Sequence, residues 1–131
     1  FEEAMDSSPR LASEILASYQ ELFKIERRAD EAKIDCPLKR LDIRREYSAP
    51  IVEAMYQRMA AMVLEVLPKS PIAGAIGYAM NQRKALTRFL EDGRFRLDNN
   101  WAENHMRPLA LGRGNYLFVG SPRGGLAAAV I

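Results

Sequence analysis

Three proline-bearing signals divide the first two thirds of the chain: Ser7/Ser8 followed by Pro9, Ser48-Ala49-Pro50, and Ser70-Pro71. A hydroxyl residue can accept a hydrogen bond from a free backbone amide at a helix start, and proline is tolerated in the first helical turn, where its missing N–H goes unused. Each signal precedes apolar residues at helical spacing. Leu11, Ile15, Leu22 and Phe23, with Tyr19 and Ile25 nearby, carry the first to about Lys33. Ile51, Met55, Met59, Met62, Val63 and Val66 carry the second to Leu67-Pro68. Ile72, Ile76, Met80, Leu86, Phe89 and Leu90 carry the third to Asp92-Gly93. Asp35-Cys36-Pro37 breaks the first pattern, and Leu38, Leu41 and Ile43 predict a short helix ending near Glu46 or Tyr47. Residues 1–91 therefore read as a helical bundle of three long helices and one short one. Gly74 and Gly77 lie three apart and would allow close approach of another helix.

Charge narrows the class further. Residues 1–80 hold eleven Lys/Arg against thirteen Asp/Glu, whereas residues 81–131 hold eight against four, and seven of those eight are arginine. Arginine favours forked contacts with phosphate or carboxylate, so the C-terminal part is permissive for nucleic acid. The cations of the first helix and of KRLDIRRE (39–46) interleave with acids and read as solvated faces. The one cysteine, Cys36, makes neither an internal disulfide nor a cysteine metal cage, and a reducing, cytoplasmic setting is expected. No apolar run reaches the ~18 residues of a membrane span. The first residue is Phe1, and LAAAVI reads like a helix cut short, so a piece of a larger protein is expected.

From Asp92 to Gly125 the helical rhythm gives way to polar, charged and glycine residues. Arg94-Phe95-Arg96-Leu97 alternates and predicts a short strand. Asn99 or Asn100 caps a helix interrupted near Pro108. Tyr116–Val119 reads as extended, and Ser121-Pro122 opens a last helix. Within DNNWAENHMRP (98–108) two readings of Glu103 stand side by side. With Asn100 as cap, Glu103 falls at the capping-box position, reaching back to a free amide, and pairs with Arg107 four residues on. Alternatively, Glu103 is an oxygen ligand for a hard divalent cation, amid Asp98, Asn99, Asn100, Asn104 and Arg107. His105 reads as a surface histidine and Trp101 as packing in the helix start.

The segment YAMNQRKALTRFLEDGRFRLDNNWAENHMRPLALGRGNYLFVGSPRGGLAAAVI resembles the C-terminal region of the insertion sequence 66 family of bacterial transposases, over residues 71–131. The resemblance implies a DDE-class enzyme, in which two aspartates and a glutamate on a ribonuclease-H-like fold hold two metal ions. It makes Glu103 the third acid of the triad, catalytic and metal-binding, with Asp98, Asn99 and Asn100 as its supporting signature and Arg107, Arg113 and Asn115 as DNA-binding positions. Asn104 stands where many members have arginine. The implied cofactor is Mg2+ or Mn2+ in the intact enzyme, with none expected on this piece. The implied partners are transposon-end and target DNA and further copies of the protein, with no membrane. The expected fold is mainly α, a helical bundle (1–91) followed by a short α/β segment (92–131) belonging to a partial ribonuclease-H-like catalytic fold. The two aspartates are expected upstream of Phe1, so this piece alone is expected to be inactive. The competing expectation is a non-catalytic helical module that binds DNA or protein, in which Glu103 only caps a helix.

Overall fold

The computed structural model describes residues 8–111, and among these the chain is helical with no strand. In chain order they form α1 (Ser8–Glu31), α2 (Pro37–Ile43), a π turn (Arg44–Ser48), α3 (Ala49–Met62), α4 (Pro71–Asn81), α5 (Arg83–Leu86) and a 3-10 turn (Arg88–Leu90). A second π turn (Ala102–Met106) and α6 (Arg107–Leu111) follow. The mainly α expectation holds.

Helix α1 buries Leu11, Ala12, Ile15, Tyr19, Leu22 and Ala29 along one face. It ends just before Lys33, which adopts a left-handed φ of 57°. The Lys33 N–H donates to the Asp30 carbonyl at 2.9 Å and the Ile34 N–H to the Ala29 carbonyl at 3.0 Å, the paired bonds of a Schellman ending.

Pro50 does not start a helix as its spacing suggests. It lies inside a continuous helical run from Pro37 to Met62. Proline lacks an N–H and its ring crowds the carbonyl four residues back. The π turn just before it widens the helix by one residue, the Ala49 N–H donating to the Arg44 carbonyl. The same device recurs before Pro108, where the Arg107 N–H donates to the Ala102 carbonyl. Ser48 accordingly has helical angles and no capping bond, and its buried Oγ has no partner.

The third start is as expected. Ser70 Oγ accepts from the Ala73 N–H at 3.3 Å. The helix does not run unbroken to residue 91, however. It steps at Gln82 and Thr87, and the Thr87 hydroxyl donates back to the Arg83 carbonyl at 2.7 Å, a local bond that competes with regular helix. A Cβ at Gly74 or Gly77 would meet nothing within 4 Å, so neither glycine serves a close helix approach here.

One core joins α1, α3 and α4 to the segment that follows Asn99. Met59, Met62, Ile72 and Ile76 share it with Trp101, Ala102 and Met106. Met55, Met59 and Met62 are ordinary core. Tyr56 ties α3 to α4 by donating to the Ala79 carbonyl at 3.0 Å.

Arg94–Leu97 forms no strand. Asp92 closes a turn instead, its Oδ1 accepting the Arg94 N–H at 2.9 Å. Arg44 fixes the same stretch from the far side. Its Nη1 donates to the carbonyls of Phe89 (3.0 Å), Asp92 (3.3 Å) and Phe95 (2.7 Å), while Nε and Nη2 each reach Glu26 at 3.0 Å. Arg40 adds bonds to Glu26 and Asp30. Glu26, Arg40 and Arg44 are thus largely buried partners, not the solvated charges their spacing suggests. Gly93 is required where it stands, because a Cβ would run into the Pro37 backbone carbonyl. The extended Tyr116–Val119 stretch and the helix from Ser121-Pro122 lie outside the described residues.

Candidate active-site carboxylate and its cleft

The site begins with a turn that sets the helix start. Asp98 Oδ1 accepts the Asn100 N–H at 2.6 Å, and the Asn99 carbonyl accepts the Glu103 N–H at 2.9 Å. Asn99, one of the two caps expected, therefore holds the N-cap position through its backbone, the Asp98 carboxylate takes the free Asn100 amide, and Asn100 is already helical. The expected capping box does not form, since the side-chain carboxylate of Glu103 meets no backbone amide. Its Oε2 accepts from Asn99 Nδ2 at 3.2 Å and its Oε1 from Arg107 Nε at 2.9 Å. The Glu103–Arg107 pair expected from their spacing is present.

Burial on the opposite face holds this carboxylate in place. Trp101, Ala102 and Met106 are buried, Trp101 Nε1 donates to the Ala75 carbonyl at 3.1 Å, and the indole lies 6.0 Å from the Tyr19 ring. Burial pushes the Tyr19 hydroxyl above the ordinary tyrosine range, helped by Tyr56 and Asp98, so it stays protonated. His105 is exposed, with its ring 6.1 Å from that of Tyr78. Trp101 and His105 thus take the roles read from their spacing.

Glu103 opens onto a cleft of about 510 Å³. Asn99, Glu103 and Arg107 form one wall. The other is a face of α1 that includes Tyr19, Gln20, Glu21, Phe23, Lys24 and Arg27. The side chain of Glu103 keeps 42% of its surface exposed. Sequence reasoning assigned no site role to Lys24 or Arg27, because a surface cation on an amphipathic helix carries no mark of what it faces. Of the residues expected at the site, the structure brings Asn99, Glu103 and Arg107 to the cleft and places Asp98 and Asn100 in the turn beneath it. Arg113 and Asn115 lie outside the described residues.

As a metal site this donor set is one position, not a whole site. A hard divalent cation takes six or more oxygens, and the described residues contain no group of three His, Cys, Asp or Glu arranged to hold an ion. Glu103 offers one carboxylate. Beside it, Asn99 Oδ1 is buried without a partner.

A family model described as transposase IS66 family matches residues 1–127, so the similarity runs through the helical region as well as the C-terminal block. Three uncharacterized proteins of Sinorhizobium fredii (strain NBRC 101917 / NGR234) are similar to the chain. The proteins y4qI and y4hP are each 36% identical to it, over 120 and 121 residues, and y4jD is 32% identical over 120. Each alignment covers 92% of this chain but only 22%, 21% and 23% of the respective relative. The chain thus spans about a fifth of the length of the curated relatives it matches. No solved structure matches it significantly.

Proposed function

Because the chain belongs to the transposase IS66 family, we propose that it is part of a DDE transposase that hydrolyses phosphodiester bonds at transposon ends and transfers the freed strand to target DNA. In this reading Glu103 is the third acid of the triad. Two aspartates on a ribonuclease-H-like sheet elsewhere in the polypeptide supply the remaining metal ligands. Metal ions bound by such a triad would activate the attacking oxygen and stabilise the leaving one. Within this chain, Asn99 and Arg107 orient the Glu103 carboxylate, and the Asp98 turn fixes the helix start that carries it. Arg107, Arg113 and Asn115 contact the DNA backbone. The protein acts on DNA in the bacterial cytoplasm as an assembly of copies.

The observation that supports this is the state of the carboxylate. It is held by two side chains on a rigidly packed turn, faces a cleft, and caps no backbone amide. A pre-oriented, accessible ligand is what a metal site needs. The alternative, a helical module in which Glu103 only caps, loses its main support with the missing capping box.

The test is Glu103→Gln in the full-length protein, read by a plasmid transposition assay and by thermal melting. Transposition is expected to fall to background while Tm changes by less than about 3 °C, since an exposed pair contributes ~0.5 kcal/mol. Transposition at the unsubstituted level would remove Glu103 from the mechanism. The 131-residue chain by itself is expected to cut no DNA with magnesium or manganese.

A further inference from the structure

The wall of the cleft opposite Glu103 has no role in the triad, and its chemistry is specific. Lys24 and Arg27 stand one turn apart on α1 with Phe23 beside them and Arg107 across the gap. Arg27 is exposed and has no acidic partner among the described residues. Of the acids near it, Glu26 is engaged by Arg40 and Arg44 and Asp30 by Arg40 at 2.7 Å, while Glu31, one turn on, makes no ion pair with it among the described residues. Among the described residues Lys24 pairs with Glu21, which lines the same cleft, at 3.2 Å with both side chains about half exposed, a solvent-screened contact that a phosphate can displace. Arg107 uses Nε on Glu103 and keeps 55% of its side chain exposed, so its terminal nitrogens remain accessible. Phe23 is half-buried against the core and still lines the cleft. A row of cations beside an aromatic face is how unpaired nucleic acid is held, the phosphates by charge and a base by stacking. The volume, about 510 Å³, falls within the ~300–1,000 Å³ of ordinary ligand pockets.

We infer that this cleft seats an unpaired stretch of DNA strand beside Glu103, with Lys24 and Arg27 on successive phosphates and Phe23 against a base. The inference rests on the proposal that the partner is DNA, and it adds α1 to the substrate-binding surface. Duplex would bind less well, because stacking on Phe23 requires a base free of its neighbours. Lys24 and Arg27 are substrate-positioning residues in this arrangement.

The experiment is fluorescence anisotropy of the 131-residue chain with a labelled twelve-residue oligothymidylate and with a twelve-base-pair duplex, each across a salt series. Lys24→Ala/Arg27→Ala is expected to weaken binding to the single strand about tenfold. It should also make the slope of log K against log salt shallower by about 1.4, at ~0.7 per phosphate contact. Phe23→Leu, which stays apolar where the side chain packs, is expected to weaken the single strand about fivefold or more and leave the duplex unchanged. Lys39→Ala/Lys69→Ala removes two exposed cations that do not line the cleft and is expected to change affinity less than twofold. The inference is overturned if wild-type chain binds no single strand at low salt, if duplex binds as well, or if the control double variant loses as much as the cleft variant. Circular dichroism melting confirms that each variant is folded. Anisotropy reads occupancy and the transposition assay reads strand transfer, so a failed cleft leaves the Glu103 result standing, and the reverse also holds.

Discussion

Arg107 Nε sits 2.9 Å from Glu103 Oε1, four residues further along the helix and in the wall of the same cleft. Both side chains are about half exposed, so the pair contributes ~0.3–0.5 kcal/mol at most to stability. Arg107→Ala should therefore melt within about 3 °C of the parent chain. In the full-length protein it should lower strand transfer at least about tenfold, because the carboxylate loses its orienting partner and the cleft loses a cation. Melting curves together with a strand-transfer assay separate the two effects. A large loss of Tm with little loss of transfer would make Arg107 structural.

Arg44 predicts the opposite pattern. It is 3% exposed, and its guanidinium serves one carboxylate and three carbonyls. Removing one member of a buried ion pair typically costs ~3–5 kcal/mol. Arg44→Leu should shift the urea midpoint by a corresponding amount. Adding Glu26→Leu should recover only part of the loss, because the carbonyls of Phe89, Asp92 and Phe95 would still lack a donor.

Three backbone positions give a sharper contrast. Gly77→Ala should stabilise the chain by ~0.5–1 kcal/mol, since a helix interior favours alanine and the added methyl meets nothing within 4 Å. Lys33→Gly should also stabilise, because Lys33 holds a left-handed φ of 57° that glycine adopts without penalty. Gly93→Ala should cost ~1–3 kcal/mol, the range for forcing an extra methyl into a packed site, as its Cβ would strike the Pro37 carbonyl. Thermal or urea unfolding of the three variants checks the order.

The Asp92 carboxyl is held down to about 2, chiefly by its side-chain hydrogen bonds from Arg94 and then by the Arg94 backbone N–H. An unperturbed aspartate titrates near ~3.9. A depressed carboxylate contributes stability that is fully present above the unfolded value and is lost as pH falls through the folded one. The contribution of Asp92 should thus be complete above pH ~4 and gone below pH ~2. Side-chain carboxyl NMR of the folded chain should place the titration near the lower limit, and Asp92→Asn should remove this part of the acid dependence.

The sequence carried the main helices because their signals are local: the α1 stripe, the Ser70 cap, and the burial of the Met55, Met59 and Met62 face. It misled where an adjacent irregular turn or a distant group decides the outcome. Pro50 has the local mark of a helix start, yet the π turn before it lets the helix run through. Arg94–Leu97 alternates like a strand, but a strand needs a partner, and Arg44 takes the Phe95 carbonyl instead. At the site, the position of Glu103 in a helix start and its pair with Arg107 were readable from spacing. Of the two caps offered, Asn99 holds the position, but the part taken by Asp98 was not readable, because neighbouring Asn and Asp residues are near-equivalent caps. Lys24 and Arg27 were unreadable as cleft residues, since only packing of α6 along α1 brings them opposite Glu103.

The guanidinium of Arg44 also couples the two halves of the chain over a long sequence separation. The carbonyls it holds lie 45, 48 and 51 residues further along the chain, and contacts of such separation close only after the intervening segment has been drawn in. The turn from Phe89 to Phe95 is thus tied to a side chain that Glu26 of α1 holds from its other edge. The bend that leads into the DNN segment is cast against a mould built by the first half of the chain.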